Sequence, residues 1–246
     1  MIFDKGEFAD FFLQAANKNG LASLILPYHI DAFYALTERM LTVNEQFNLT
    51  AIKEPRRVIL LHYIDSLVGA RFFPEGASVI DVGCGAGFPS LPLAIFRPDL
   101  KITALDATAK RVRYVRETAD LLGLCNLETL TGRAEDIAAD KAYRERFDAA
   151  TARAVAALPV LSELCLPFVR VGGSFIAMKG KSGREELALS KNAISLLGGA
   201  TESVEDTPIF SPEGEAFDHT TVLIRKTAAT DKKYPRPYGK ILKSPL

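Results

Sequence analysis

One stretch constrains the fold of this chain more than any other: Val79-Ile80-Asp81-Val82-Gly83-Cys84-Gly85-Ala86-Gly87-Phe88-Pro89. A short apolar run enters three alternate glycines and then a helical segment. Glycines in such a turn reach backbone conformations closed to other residues and let a ligand approach the main chain, at the open carboxyl end of a first parallel strand. A nucleoside cofactor is the natural occupant of that turn.

The rest of the chain agrees with a strand at that place. Apolar runs at residues 79–82, 102–105, 127–130, 147–151 and 173–178 alternate with helical patterns at 88–96, 110–122, 158–169 and 185–197. Strands alternating with helices predict an α/β fold with a doubly wound, Rossmann-like parallel sheet. Residues 201–210 and 220–226, joined through Pro212, Glu213 and Gly214, predict a terminal antiparallel hairpin at the sheet edge. Ahead of the sheet, Ile30, Phe33, Tyr34, Leu36, Met40, Leu41, Val43 and Phe47 recur at helical steps, and Pro55 stands where a helix would start. The expected division is an amino-terminal helical cap over 1–75, a sheet domain over 76–230 and a basic tail over 231–246.

Charge and cysteine usage narrow the function classes. Lys+Arg and Asp+Glu each number 30, which excludes a protein that is basic throughout, so any polyanion must meet local patches. The tail, expected to be extended, supplies one: Lys232, Lys233, Arg236, Lys240 and Lys243 are interleaved with Tyr234 and Tyr238. Cys84, Cys125 and Cys165 form no CxxC pair and cannot close a disulfide framework, which fits a reducing, cytoplasmic setting. Asp4, Glu7 and Asp10 interrupt the start where a secretory signal would be basic and then apolar, and no run reaches a membrane span. His29, His62 and His219 lack metal-ligand spacing, so no metal is expected.

The glycine loop can be matched to a ligand. The dinucleotide fingerprint asks for a third glycine where this chain has Phe88, which disfavours pyrophosphate. Asp81 would repel a diphosphate and attract an ammonium, directly or through water, and S-adenosylmethionine carries both an ammonium and a sulfonium. Asp106, at the end of the second predicted strand, can accept hydrogen bonds from both ribose hydroxyls. A second pattern, Gly180-Lys181-Ser182, lacks the upstream glycine of a phosphate loop because Phe175 holds that place.

Further marks are Asn48-Leu49-Thr50, His62 with Asp65-Ser66-Leu67, Lys110-Arg111, Gly132-Arg133-Ala134-Glu135, Arg153-Ala154-Val155-Ala156, Lys179-Gly180 and Tyr234-Pro235-Arg236. With the glycine loop, and in this order, they resemble the bacterial 16S ribosomal RNA methyltransferase G family, also called glucose-inhibited division protein B. The resemblance implies a class I S-adenosylmethionine-dependent methyltransferase fold with an amino-terminal helical extension. It implies methylation of guanine N7, at position 527 of 16S rRNA, by a monomer acting on the 30S subunit or an assembly intermediate. It places S-adenosylmethionine against Gly83 and Phe88 of the loop, Asp106 at the ribose, Ala134 and Glu135 beside the adenine, and Arg153 at the mouth. Asp81, Gly85 and Gly87 complete the expected cofactor set. Ser90 stands where the family often has glycine, a departure expected to affect packing rather than ligand contact.

That reaction sets testable demands. Guanine N7 has an in-plane lone pair and no proton, so attack on a sulfonium methyl needs no general base, and orientation must carry most of the rate. The chain has neither an Asn-Pro-Pro-Tyr motif nor a Pro-Cys nucleophile, in keeping with a ring-nitrogen target. Arg153 is the expected catalytic residue, donating to guanine O6, a phosphate or the cofactor carboxylate. His62 and Asp65, one helical turn apart, suit either capping or substrate contact. Lys179, Tyr234, Arg236 and Lys240 are the expected RNA contacts, by stacking and by phosphate pairing. Two other readings remain: a non-catalytic S-adenosylmethionine-binding ribosome-assembly factor, and a nicotinamide-dependent reductase, which Phe88 disfavours.

Overall fold

The computed structural model describes residues 4–246. The chain begins with α1 (Lys5–Lys18) and α2 (Pro27–Gln46), followed by α3 (Pro55–Val58), a π-helical turn over Ile59–Ile64 and α4 (Asp65–Gly69). Strand β1 (Ser78–Val82) leads to α5 (Ser90–Phe96), β2 (Lys101–Asp106), α6 (Ala109–Leu121), β3 (Leu127–Thr131) and α7 (Ala134–Ile137). Then come β4 (Phe147–Arg153), α8 (Leu158–Cys165), β5 (Val169–Gly180) and α9 (Gly183–Leu196). Strands β6 (Gly199–Asp206), β7 (Ile209–Phe210), β8 (Ala216–Phe217) and β9 (His219–Lys226) precede the last helix, α10 (Tyr238–Lys243).

Seven strands form one sheet in the order β3-β2-β1-β4-β5-β9-β6. The first five are parallel, and β9 runs antiparallel to both of its neighbours. The order reverses beside β1, which puts the carboxyl ends of β1, β2 and β4 around the crevice where such sheets bind ligands. Burial explains the parallel arrangement: β1 and β4 are covered on both faces, with Val79, Ile80, Ala149 and Ala150 fully buried.

The helices ahead of the sheet share a core with it. Phe8, Phe12, Phe33, Met40 and Tyr63 belong to the same apolar cluster as Phe88, Leu91, Tyr114 and Val115. Local signals place these helices. The Asp4 carboxylate caps α1 by accepting from the Gly6 and Glu7 amides, and Glu54 caps α3 in the same way through Arg56 and Arg57, with Pro55 at its first position.

Two expectations are corrected. The strand expected over 201–210 ends at Asp206, because Pro208 has no amide to donate, and the chain resumes as β7, paired with β8 in a separate ribbon. That ribbon fastens to α1: Asn19 Oδ1 accepts from the Phe210 amide at 2.9 Å and its Nδ2 donates to the Phe210 carbonyl at 2.8 Å. The tail, expected to be extended, folds back and forms α10. Arg144 donates to the carbonyls of Thr230, Asp231 and Tyr234 at 2.8–3.1 Å, and the fully buried Lys226 ammonium donates to the Leu166 carbonyl and the Thr230 hydroxyl and pairs with Glu145 at 3.2 Å.

Gly87 tests the loop. Its φ is +84°, and a Cβ there would stand 2.5 Å from Leu91 Cδ1 and 3.2 Å from Val115 Cγ2. Gly76, φ +67°, would place its Cβ in open space. In urea unfolding, Gly87→Ala should lower stability by about 3 kcal/mol and Gly76→Ala by about 1 kcal/mol, the difference being the clash. Equal losses would mean that the helix start is not packed this way.

Candidate active site

The glycine loop is built by a crossed set of hydrogen bonds. The amides of Gly83 and Cys84 both donate to the Leu105 carbonyl, at 2.8 and 2.9 Å, so the loop closes over the end of β2 rather than continuing β1. The Gly85 amide donates to Asp106 Oδ2 at 3.0 Å, and the Thr108 amide to Asp106 Oδ1 at 2.8 Å. Gly83, Gly85 and Gly87 all have positive φ. A Cβ on Gly83 would lie 2.7 Å from Val155, so the two chain segments touch because no side chain stands between them.

Two clefts flank the segment that follows β4. A cleft of about 240 Å³ is lined by Gly83, Asp106, Ala134, Glu135, Val155 and Tyr238, among others. A second, of about 390 Å³, is lined by His62, Asp65, Arg153, Lys179, Glu186 and His219, among others. Arg153 and Ala154 face one cleft and Val155 the other, across a turn that puts Ala154 in the left-handed region at φ +56°.

In the second cleft Arg153 is the hub. Its Nη1 donates to Asp65 Oδ2 at 2.6 Å and to the Leu61 carbonyl at 3.1 Å, and its Nη2 meets His62 Nδ1 at 3.1 Å. Arginine can only donate, so His62 Nδ1 accepts, and the ring proton sits on Nε2, where it donates to Thr50 Oγ1 at 3.0 Å. Burial, reinforced by the Arg153 charge, holds His62 down at about 3, so the imidazole is neutral at any physiological pH. The His62 ring stacks on Phe88, centroids 4.1 Å apart and planes at 10°. His219, paired opposite Gly180, brings Nδ1 to 3.4 Å from Asp65 Oδ1 without a well-aligned hydrogen bond.

The π-helical turn explains how one segment supplies so many acceptors. Its wider winding directs the Leu61 carbonyl, the His62 ring and the Asp65 carboxylate to one guanidinium, as such turns often do at functional sites. Thr50, from the Asn48-Leu49-Thr50 mark, is held in turn by Asn44, whose Oδ1 accepts from the Leu49 and Thr50 amides.

Behind the glycine loop lies Asp81, 1% exposed. Its Oδ2 accepts from the Ser90 hydroxyl, and its Oδ1 has no partner among the described residues. Ser90 therefore does more than pack. Burial pushes the Asp81 carboxyl up to about 6, against the opposing pull of the Ser90 hydrogen bond and the Arg153 charge.

The expected site residues separate by place. Gly83, Asp106, Ala134 and Glu135 line the smaller cleft, and Arg153 and Lys179 the larger. Gly85 and Gly87 belong to the loop itself and line neither cleft, and Asp81 stands behind the loop. Phe88 lines neither cleft; its buried ring packs against His62 and lies 5.5 Å from the Arg153 guanidinium. Three expected RNA contacts are engaged internally. Lys179 Nζ meets the Ala156 carbonyl and Glu186, both at 2.8 Å; Arg236 pairs with the fully buried Glu163 at 2.6 Å; and Tyr234 is buried. Lys240 is exposed on α10. In the sequence Val155 stood only within a mark, Tyr238 only in the basic tail and His219 only among histidines without ligand spacing; the fold brings Val155 and Tyr238 to the smaller cleft and His219 to the larger.

Comparison with known proteins decides the family. The sequence model of GidB, rRNA small subunit methyltransferase G, matches residues 29–209. The chain belongs to the rRNA small subunit methyltransferase G family. Ribosomal RNA small subunit methyltransferase G of Clostridium perfringens strain 13 is 46% identical over 205 residues, 82% of this chain and 84% of that protein. The same enzyme of Leuconostoc citreum is 43% identical over 239 residues, 96% and 98% of the two chains. Among solved structures, the O-methyltransferase from Bacillus cereus in complex with SAH aligns at TM-score 0.52 with 20% identity, over 78% of this chain and 91% of that one. M. jannaschii TYW2 in complex with AdoMet aligns at TM-score 0.51 with 16% identity, over 66% and 74%. These structures share the fold.

S-adenosylmethionine is the cofactor of this methyltransferase G family member, and the residues present fit it. A carboxylate offers about four lone-pair positions, and Asp106 uses two on its own loop, which leaves two for a ribose diol. Ala134 and Glu135 open α7, where the first amides of a helix have no intrahelical acceptor. The unpartnered Asp81 Oδ1 suits a positively charged group near the loop.

Asp81 also sets a pH test. Its carboxyl titrates near 3.8 when unfolded and near 6 when folded, so the folded state favours the proton. The stability this contributes is complete below about pH 4 and is lost as pH rises through about 6. Asp81→Asn cannot ionise and escapes that loss. Its melting temperature should gain on that of the unsubstituted protein from about pH 4 to about pH 7, while its affinity for S-adenosylhomocysteine falls. A temperature difference independent of pH would contradict a buried, half-partnered carboxylate.

Proposed function

We propose that the chain transfers the methyl group of S-adenosylmethionine to N7 of guanine in 16S rRNA, at position 527 as the resemblance implies, with the 30S subunit or an assembly intermediate as substrate. The observation that carries this reading is the state of the side chains around Arg153. Asp65 and His62 are both tied to its guanidinium, and His62 is held neutral with both ring nitrogens engaged. Neither stands as a free base, which suits a nucleophile that has no proton to lose.

When bound, S-adenosylmethionine supplies an electrophilic methyl group on a sulfonium. The chain's own residues then have two tasks, orientation and control of charge. Arg153, held in plane by Asp65, His62 and the Leu61 carbonyl, has donor capacity left for an acceptor such as guanine O6. Positive charge develops on the base during transfer, so a bare arginine beside it would be unfavourable. Asp65, 2.6 Å from that guanidinium, offsets its charge.

Affinity for RNA falls to exposed cations rather than to the residues paired inside. Lys232, Lys240 and Lys243 are exposed on the tail, as is Arg113 on α6. With zero net charge over the whole chain, binding to naked duplex should be weak and should weaken further with salt.

The deciding experiment is methyl transfer from labelled S-adenosylmethionine to 30S subunits from cells lacking this protein, with the modified nucleoside identified by mass spectrometry. 7-Methylguanosine is the expected product. Arg153→Lys, which keeps the charge but loses the planar fork, should lower kcat about 10- to 100-fold. Cofactor binding without transfer would favour the non-catalytic assembly factor, and a different methylated nucleoside would overturn the N7 assignment.

A further inference from the structure

The tail's basic, tyrosine-rich composition suggests RNA, but its anchoring points elsewhere. Glu163, on α8, is fully buried, and Arg236 closes on it with a fork: Nε donates to Oε1 at 2.9 Å, Nη2 to Oε2 at 2.6 Å, and the Arg236 backbone amide to Oε1 at 2.8 Å. The main chain itself is thus clamped two residues before Tyr238. Beyond the clamp, Ile241 is fully buried in the cluster that holds Leu164, and Tyr238 packs on the same cluster. Tyr238 and Leu164 both line the cleft that contains Asp106, Ala134 and Glu135, and the Arg133 guanidinium lies 5.5 Å from the centre of the tyrosine ring.

A buried ion pair is a poor source of net stability, because desolvation offsets much of its attraction. It is a good source of fixed geometry, since both partners lose heavily if it opens. Here the geometry it fixes is the position of an aromatic ring at the wall of a cleft. An aromatic ring offers a flat apolar face suited to a nucleobase or a ribose.

We propose that the tail is part of the cofactor site: Tyr238 closes the adenosine end of the cleft, and Glu163 and Arg236 are positioning residues that act through it. This rests on the assignment of that cleft to S-adenosylmethionine. The tail then couples completion of the fold to cofactor capture, and its tyrosine serves the methyl donor instead of stacking on RNA.

The test is calorimetry on the full chain with S-adenosylhomocysteine and with 5′-methylthioadenosine, which lacks the amino-acid portion. Tyr238→Ala should weaken both by about 10-fold, with equal factors because the lost contact is to the shared adenosine. Tyr238→Phe, which keeps the ring, should restore the affinity. Arg236→Lys should weaken both less, and should have no further effect in the Tyr238→Ala background, because it acts through the same ring. Thermal melts of each variant separate loss of contact from loss of fold, and Tyr238→Ala leaves the Glu163 pair intact if the fold does not.

Affinities for Tyr238→Ala within about two-fold of the unsubstituted protein would overturn the proposal, as would a loss confined to S-adenosylhomocysteine. Additive losses in the double variant would overturn the positioning role of Arg236. Asp106→Ala keeps the two assignments distinct. If it binds S-adenosylhomocysteine normally, the cleft has been misassigned; if it loses binding while Tyr238→Ala does not, the tail alone has been misread.

Discussion

A guanidinium withdrawn from water organises this molecule. Arg153 sits at the end of β4 with its side chain only 11% exposed, and at that depth every unmet donor is costly. The acceptors that meet it come from the helices ahead of the sheet: a carbonyl and an imidazole from the π-helical turn, and the carboxylate that opens α4. Those helices are therefore more than a cover. They supply the acceptors that hold a charge belonging to the sheet, and the aromatic stack of His62 on Phe88 ties the same turn to the glycine loop. The shared apolar cluster joins helices and sheet by area, while the arginine joins them by geometry.

The glycine loop solves a different problem, that of bringing two chain segments closer than side chains permit. Gly83 lets the segment after β4 approach until Val155 touches it, and this contact divides the crevice into two clefts. Arg153 and Val155 face opposite sides of that division, two residues apart. Asp81, behind the loop, is the cost of the arrangement: a carboxylate sealed from water with one oxygen unpaired among the described residues.

Much of the architecture was legible in the sequence because the sheet is covered on both faces. Apolar-rich runs marked β1, β2, β4 and β5, while the edge strand β3, with Glu128 and Thr129 between its leucines and no buried residue, was marked by its place between two helical patterns; the observed bounds differ from the expected ones by little except at β5, which starts earlier, at Val169. The glycine turn and the placement of Asp106 beside it were legible because their geometry is local and their spacing is fixed by one turn. The contacts that could not be read join residues far apart. His62 and Asp65 were visible as neighbours on a helix, yet the arginine they share is some ninety positions away. Composition misdirected the reading of the tail, since a count of cations does not say which of them already has a buried carboxylate waiting. Arg236 and Lys179 look free in the sequence and are paired in the fold, and the stack of Phe88 on His62 joins residues whose spacing gave no sign of it.

The position of β9 has a consequence for how the molecule comes into being. Strand β6 touches the sheet only through β9, which lies between it and β5. A nascent chain emerging from the ribosome can assemble the five parallel strands, but β6 must wait, unpaired, until residues 219–226 have followed it and inserted. The open flank of β5 is exposed for the same interval, an edge able to pair with other extended chains. Synthesis from one end to the other thus leaves the antiparallel flank of the sheet beside Lys179 unfinished until β9 has emerged, and the interval during which that edge stands open is set by the order of the strands.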